Sequence, residues 1–389
     1  MIAPFDAAIR SLGEDFLAGA FGRSYQHWSQ AADLSGLFAW DDLNEILTRH
    51  QLDTPRLRLF KAGEQVPTHL YTHTSVTKRH QVRRHIEPAH LHEQIADGAS
   101  LVLDSLEGLH PGVESLAEVL ERHFRTDVQI NMYASWTPTE GFGVHWDDHD
   151  VVVFQLEGSK RWRLYGPTRP DPLRIDVEAP EKPEGEPLHE VMLEAGDMLY
   201  LPRGWWHAVA ATEGRSLHLT CGLTPKTGHS LLTWVVGQLL AAPAVRATLR
   251  LNSSPEELEA YVEELRTEIT KALHPRVLGE YINAMDARDP GRPAPSLPYV
   301  EGVPAEGHIT IRLTTARASL LPGDAPGTVV FRAAGEEWVL RDEIAPALES
   351  LMGVGPVSLG KLAAASGLSL ETVAALASEL VSNDAAAVT

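Results

Sequence analysis

The sequence predicts an α+β chain: a barrel or sandwich of many short strands with helices packed outside, then a helical region, then a small C-terminal module of strands and helices. Three observations predict it. Up to about residue 230, β-rich runs such as "DVQINMYASW", "VVVFQLEG", "KRWRLYG", "DMLYLP" and "SLHLTCGL" recur between Gly and Pro turns. From about 229 to 285 the apolar residues shift to three- and four-residue spacing. The stretch "DARDPGRPAPSLP" (286–298) is a linker, and beyond it β-like and helical patterns alternate.

The elements follow in order. "SLAEVLERHF" (115–124) reads as a helix beside the strands, and "PTRPDPLRIDVEAPEKPEGEPLHE" (167–190), rich in Pro and acid, as a surface excursion between two of them. "HSLLTWVVGQLLAAPAVRATL" is apolar over more than one face, so it is expected to bury against something beyond its own domain, with a homodimer contact as the expectation. "SSPEELEAYVEELRTEITKALHPRVLGEYINAM" opens on a Ser cap with Pro-Glu-Glu in its first turn. "HITIRL" and "GTVVFRA" are β-like, "RDEIAPALESLMG" is helical, and "VSLGKLAAASGLSLETVAALASELVSN" resembles a winged helix. Residues 296–389 hold five basic and eleven acidic side chains. A recognition helix without a basic stripe is a poor DNA reader, so no direct DNA binding is expected and a protein-contact role is. The expected domains are 1–228, 229–290 and 296–389.

At 389 residues the chain suits two or three domains. Its 43% hydrophobic and 22% charged residues fit a globular protein. Thirty-three Lys and Arg against 53 Asp and Glu leave a net charge of −20, which disfavours non-specific grip on nucleic acid or anionic membrane and suits a basic partner. The single cysteine, Cys221, excludes a disulfide framework and a thiolate zinc site within the chain. The N-terminus lacks the pattern of a signal peptide, and the most apolar window, 231–245, is shorter than the ~20 residues that cross a bilayer. A cytoplasmic protein is the expectation.

The segment "GFGVHWDDHDVVVFQLEGSKRWR" (141–163) packs two histidines and three aspartates against an apolar run. In a strand, residues two apart share a face, so His145 and Asp147 project together as two adjacent ligands of an octahedral ion. A third nitrogen ligand is available in "GDMLYLPRGWWHAV", where His207 follows a Pro-x-Gly turn. That spacing matches the second motif of the cupins, which sets its histidine opposite the first motif inside a β-barrel. Two histidines and one carboxylate leave three positions open, the arrangement of non-haem Fe(II) that activates oxygen; zinc is the runner-up metal. A 2-oxoglutarate cosubstrate would need a fixed cation for its far carboxylate, and Lys160, after the Gly158-Ser159 turn, is within reach. Asp148, His149 and Asp150 read as hydrogen-bonding or turn residues around the site.

These residues resemble the JmjC-type ribosomal oxygenases of the cupin class. "GFGVHWDDHDVVVFQLEGSKRWRLYGP" is similar to their iron and cosubstrate segment, "GDMLYLPRGWWHAV" to the segment carrying the distal histidine, and "VQINMYASWTP" to a strand whose Asn and Tyr lie near 2-oxoglutarate. The resemblance implies a double-stranded β-helix followed by a helical dimerisation region and a winged helix. It implies His145, Asp147 and His207 as iron ligands, Lys160 as partner of the cosubstrate's far carboxylate, and Asn131 and Tyr133 as its neighbours. Thr220 could supply a further hydroxyl, and its assignment stays open. The chemistry implied uses Fe(II), 2-oxoglutarate and O2 to hydroxylate an Arg or His side chain of a basic, ribosomal protein substrate. Trp136, Trp146, Trp205 and Trp206 could help hold a peptide, although packing suits most of these rings better. The alternatives are the same chemistry on a small molecule or free peptide, demethylation of N-methyl-lysine, and a metal-binding cupin or scaffold without catalysis.

Overall fold

The β-branched and aromatic runs form strands, and amphipathic segments between them form helices. The computed structural model describes residues 3–389 apart from 32, 35, 179, 180, 213 and 250. In chain order come α1 (Ala3–Ser11), α2 (Glu14–Gly19), β1 (Gln26–Trp28), α3 (Trp40–Arg49), β2 (Leu57–Lys61) and β3 (Glu64–Gln65). A hairpin of β4 (Thr72–Val76) and β5 (Val82–Ile86) follows, then α4 (Pro88–Ala96), β6 (Ser100–Leu103) and α5 (Pro111–Phe124). Next are β7 (Val128–Ser135), β8 (Asp150–Glu157), β9 (Lys160–Pro167), β10 (His189–Leu193), β11 (Met198–Leu201), β12 (Trp205–Ala211) and β13 (Ser216–Leu223). The 167–190 excursion contains a short 3-10 turn, Arg174–Glu178, and is mostly exposed where described.

Two antiparallel sheets build the barrel. The larger runs β1-β11-β8-β13-β7-β6-β2-β3 and the smaller β10-β9-β12. Successive strands β8 and β9 lie in different sheets, as do β11 and β12, and β12 and β13, which makes the unit a double-stranded β-helix. Between β8 and β9 only glycine fits at position 158: its φ is +66°, and a Cβ there would lie 2.2 Å from the Arg215 carbonyl oxygen.

Strand β8 is buried on both faces, which explains its unbroken apolar run. Val151 and Val153 pack with Trp162, Leu164 and Leu199 in the barrel interior. Val152 and Phe154 point the other way, into the core shared with Leu116 and Leu120 of α5. The strand begins only at Asp150, so the expectation that His145 and Asp147 sit on the same strand is corrected. Their segment is irregular backbone, held by a single bridge in which His145 N–H donates to His207 O (3.0 Å) and His207 N–H to His145 O (2.8 Å).

The chain divides into two compact units, Met1–Pro225 and Lys226–Thr389. The second begins with α6 (Gly228–Gln238), α7 (Pro243–Arg246), α8 (Pro255–Ala272) and α9 (Val277–Ala287). Ser254 caps α8, its Oγ accepting from Glu257 N–H while the Glu257 carboxylate accepts from Ser254 N–H at 3.0 Å. There follow β14 (Thr310–Leu313), β15 (Ser319–Pro322), β16 (Thr328–Ala333), β17 (Glu336–Arg341), α10 (Ala345–Leu351), β18 (Val357–Ser358), α11 (Leu359–Ser366), α12 (Leu370–Ser382) and β19 (Ala386–Val388). Helices α11 and α12 meet at 118° across a turn in which Gly367 takes φ +70°, a helix–turn–helix arrangement. Arg317 is buried here between two carboxylates, Asp286 at 3.5 Å and Asp289 at 3.2 Å. No single helix among the described residues is long and apolar enough to cross a membrane.

Candidate metal centre

The bridge between residues 145 and 207 brings two distant motifs to one point. Asp147 is tied in as well, because its carbonyl accepts from Gly204 N–H at 2.9 Å. One ligand atom from each of His145, Asp147 and His207 lies within 4.8 Å of the others. His207 Nε2 is 3.7 Å from Asp147 Oδ2, and the two imidazole centroids are 4.3 Å apart.

Hydrogen bonds set the tautomers. His207 Nδ1 faces the Trp205 carbonyl at 2.9 Å and His145 Nδ1 the Gly143 carbonyl at 3.1 Å. A carbonyl only accepts, so each Nδ1 carries the proton and each Nε2 keeps a free lone pair. Burial, together with the charge of His145, pushes the His207 imidazole down to about 4, so it is neutral at pH 7. Burial opposes ionisation of Asp147, yet the surrounding His207, His145 and His149 outweigh it and hold the carboxyl below its ordinary value. Two imidazole nitrogens and a carboxylate are what a divalent cation requires.

The triad opens on a cleft of about 550 Å³ of empty space between the sheets. Lys160, the first residue of β9, lines it while only 3% exposed, and no acid or hydrogen-bond acceptor among the described residues pairs with it. Desolvation alone pushes its ammonium down to about 7. Tyr133 from β7 lines the cleft too and stacks on His218 of β13, with ring centroids 5.0 Å apart and planes 6° from parallel. Burial first, and then the charge of Asp147, push the Tyr133 phenol upward, so it remains a hydrogen-bond donor. Asn131 does not line the cleft. Its Oδ1 accepts from Ser105 N–H at 3.1 Å and its side chain bonds Tyr133, so it holds the tyrosine in place.

Thr220 lines the cleft, as do Ser100 and Ser135, whose hydroxyls bond at 2.8 Å. Sequence reasoning missed both serines, His218, Trp162 and Phe142. The signal for His218 was present: alternation along "SLHLTCGL" puts residues 216, 218 and 220 on one face of β13, opposite Tyr133 and Asn131 of β7 in register. The four tryptophans lie outside the cleft lining. Trp206 is buried and donates to Thr168 Oγ1 at 2.8 Å, Trp136 packs on Trp40, Trp205 on Tyr25, and Trp146 sits in a separate small pocket. His149 bonds its neighbour Asp148 at 3.1 Å, and Asp150 accepts from Arg203 N–H at 2.8 Å, clamping the end of β11 to β8.

Residues 109–231 match the JmjC domain family. The chain carries a JmjC domain. All three members of the triad, Lys160 and Tyr133 lie inside the matched range. The sequence is 32% identical to the bifunctional lysine-specific demethylase and histidyl-hydroxylase NO66 of Dictyostelium discoideum over 214 residues, 53% of this chain and 40% of that protein. It is 33% identical to ribosomal oxygenase 1 of Gallus gallus over 215 residues, 50% of this chain and 33% of that one. The chain thus spans 40% or less of the length of these curated relatives. The fold likeness extends further than the JmjC domain. The Escherichia coli ribosomal oxygenase YcfD, in complex with cobalt and 2-oxoglutarate, superposes with a TM-score of 0.57 at 17% identity, covering 96% of both chains. A second structure of the same protein gives 0.62.

Proposed function

We propose that this protein is an Fe(II)- and 2-oxoglutarate-dependent oxygenase that hydroxylates an Arg or His side chain of a ribosomal protein. The observation that carries the reading is the pairing, in one cleft, of a metal-competent triad with a buried cation that has no partner of its own. The donor set fits ferrous iron, with both Nε2 lone pairs free and Asp147 ionised. Lys160 fits a carboxylate, because an ammonium buried without a counter-charge is costly and a dicarboxylate ligand would supply one. When bound, iron and 2-oxoglutarate supply an oxidation that consumes O2, releases succinate and carbon dioxide, and converts a C–H bond into an alcohol.

The chain's own residues have defined tasks. His145, Asp147 and His207 would hold the metal by three neighbouring positions and leave the rest for ligands. Lys160 orients the cosubstrate through its far carboxylate, and the Tyr133 phenol, placed by Asn131, donates a hydrogen bond into the same cleft. Trp162 and Val209 wall the cleft and exclude water around the reacting centre. The net charge of −20 suits a basic substrate. The names of the relatives support this reading, ribosomal oxygenase for a ribosomal protein and histidyl-hydroxylase for a histidine.

We also propose a homodimer. Leu258, Val262, Ile269 and Leu273 form one exposed apolar stripe along α8, and Leu232 and Val236 on α6 are about half exposed. The proposed three-part division keeps 1–228 for catalysis, 229–290 for this contact and 296–389 for a winged-helix-like module, and a cytoplasmic location fits all three. Incubation with Fe(II), 2-oxoglutarate and purified ribosomal proteins tests the reading. The expected result is succinate release coupled to the gain of one oxygen atom on one Arg or His. Turnover of 2-oxoglutarate without modification of any ribosomal protein would move the substrate elsewhere, and no turnover at all would overturn the enzyme.

A further inference from the structure

The hairpin β4–β5 carries a charge opposite to that of the rest of the molecule. Residues 72–92 contain four Lys or Arg, five His and one acid, Glu87, in a chain of net charge −20. The two strands form a sheet of their own, joined to neither sheet of the barrel. At the tip, Lys78, Arg79 and His80 are exposed, and Arg83 is exposed on the returning strand. Lys78, Arg79 and Arg83 make no ion pair among the described residues, although the molecule has acids to spare. By contrast Arg84, on the other face, is held by Asp53 at 3.2 Å. In register, Ser75 lies opposite Arg83 and His73 opposite His85, so the unpaired guanidinium and two imidazoles share one face. His73 and His85 stack with centroids 5.3 Å apart, and Ser75 Oγ bonds His85 Nε2 at 3.0 Å. At its root the ribbon borders a groove of about 900 Å³ of empty space whose rim adds His50 and His92.

We propose that the β4–β5 ribbon is an arm that grips single-stranded RNA. Unpaired cations on a projecting ribbon meet phosphates without first breaking ion pairs, and exposed imidazoles offer faces on which unpaired bases stack. The average charge of the chain argues against nucleic acid only if charge is spread evenly, and here it is not. The surrounding acid confines the nucleic acid to the arm and keeps phosphates off the rest of the surface. The inference does not depend on the catalytic reading, since none of these residues lines the metal cleft.

Fluorescence anisotropy of a labelled single-stranded RNA 20-mer with the full-length protein tests it. We expect saturable binding that weakens with salt, the slope of log K against log[salt] being about −2 for three phosphate contacts. The combined variant Lys78→Ala, Arg79→Ala, Arg83→Ala should lose at least about tenfold in affinity and most of that slope, with its thermal midpoint and its 2-oxoglutarate turnover unchanged. A matched duplex RNA should bind more weakly, because its bases are paired and offer the imidazoles no free faces. Unaltered RNA affinity in the triple variant would overturn the proposal, as would equal binding of the duplex. Because Val76 and Val82 are 64% and 67% exposed on the ribbon's other face, vesicles containing phosphatidylserine are the third arm. Vesicle binding without RNA binding would make the arm a membrane contact and overturn RNA as its ligand.

Discussion

Among the described residues each unit of the chain buries one lysine or arginine, and the two are treated in opposite ways. Arg317 in the second unit is 4% exposed at its side chain, with Asp286 and Asp289 within 3.5 Å. Lys160 in the first is buried too and has no acid beside it, so its ammonium is pushed down to about 7 by desolvation alone. A charge whose partners come from its own chain is part of the fold. A charge left without them in a cleft has room for a ligand's carboxylate, which is the role proposed above for Lys160.

The sharpest way to break this comparison is Lys160→Met. We expect 2-oxoglutarate turnover, read as succinate release, to fall below detection while the thermal midpoint of the ligand-free protein stays level or rises. A clear drop in the midpoint would make Lys160 structural. Arg317→Met should do the reverse: urea unfolding is expected to lose roughly 3–5 kcal/mol, because the buried Asp286 and the part-buried Asp289 lose the guanidinium between them, with the constants for 2-oxoglutarate unchanged. Unaltered unfolding would put Arg317 outside the fold's essential ion pairs.

A smaller effect comes with pH. Binding a carboxylate favours protonated Lys160, so affinity for 2-oxoglutarate should be greatest below about pH 7 and fall by up to about tenfold per unit above it. Calorimetric titration across that range would show it, and Lys160→Arg, if it binds, should flatten the curve because a guanidinium stays charged. The sign for stability is the opposite. Between about 7 and the ordinary lysine value of 10.5 the unfolded chain binds more protons, so the ligand-free protein gains stability as pH rises through that window. The smallest expected effect is that of Asn131→Ala, a few-fold rise in the KM for 2-oxoglutarate with kcat nearly kept, since this residue acts by placing Tyr133. A loss as large as that of Lys160→Met would show that Asn131 touches the cosubstrate.

The convergence of His145, Asp147 and His207 was legible because two short motifs, His-x-Asp in one segment and Pro-x-Gly-x-x-His in another, carry those residue types at fixed spacing. Strand positions were legible wherever apolar and polar residues mark a buried run, as in β7, β8 and β13. The backbone at 145–147 was not. Alternation there suggested a strand, while the actual segment holds its shape through one bridge to His207 and one bond to Gly204, both contacts with residues far along the chain. The Ser100–Ser135 pair was hidden for a similar reason, since it joins the cleft through cross-strand pairing that spacing within one strand does not announce. The basic arm was masked by averaging: a total of −20 says nothing about where the positive residues are.

The two hydrogen bonds between the backbones of residues 145 and 207 join one ligand segment to the other directly, not through the intervening sixty residues. Separating the two histidine backbones therefore requires breaking both of these bonds, whatever happens in the chain between them.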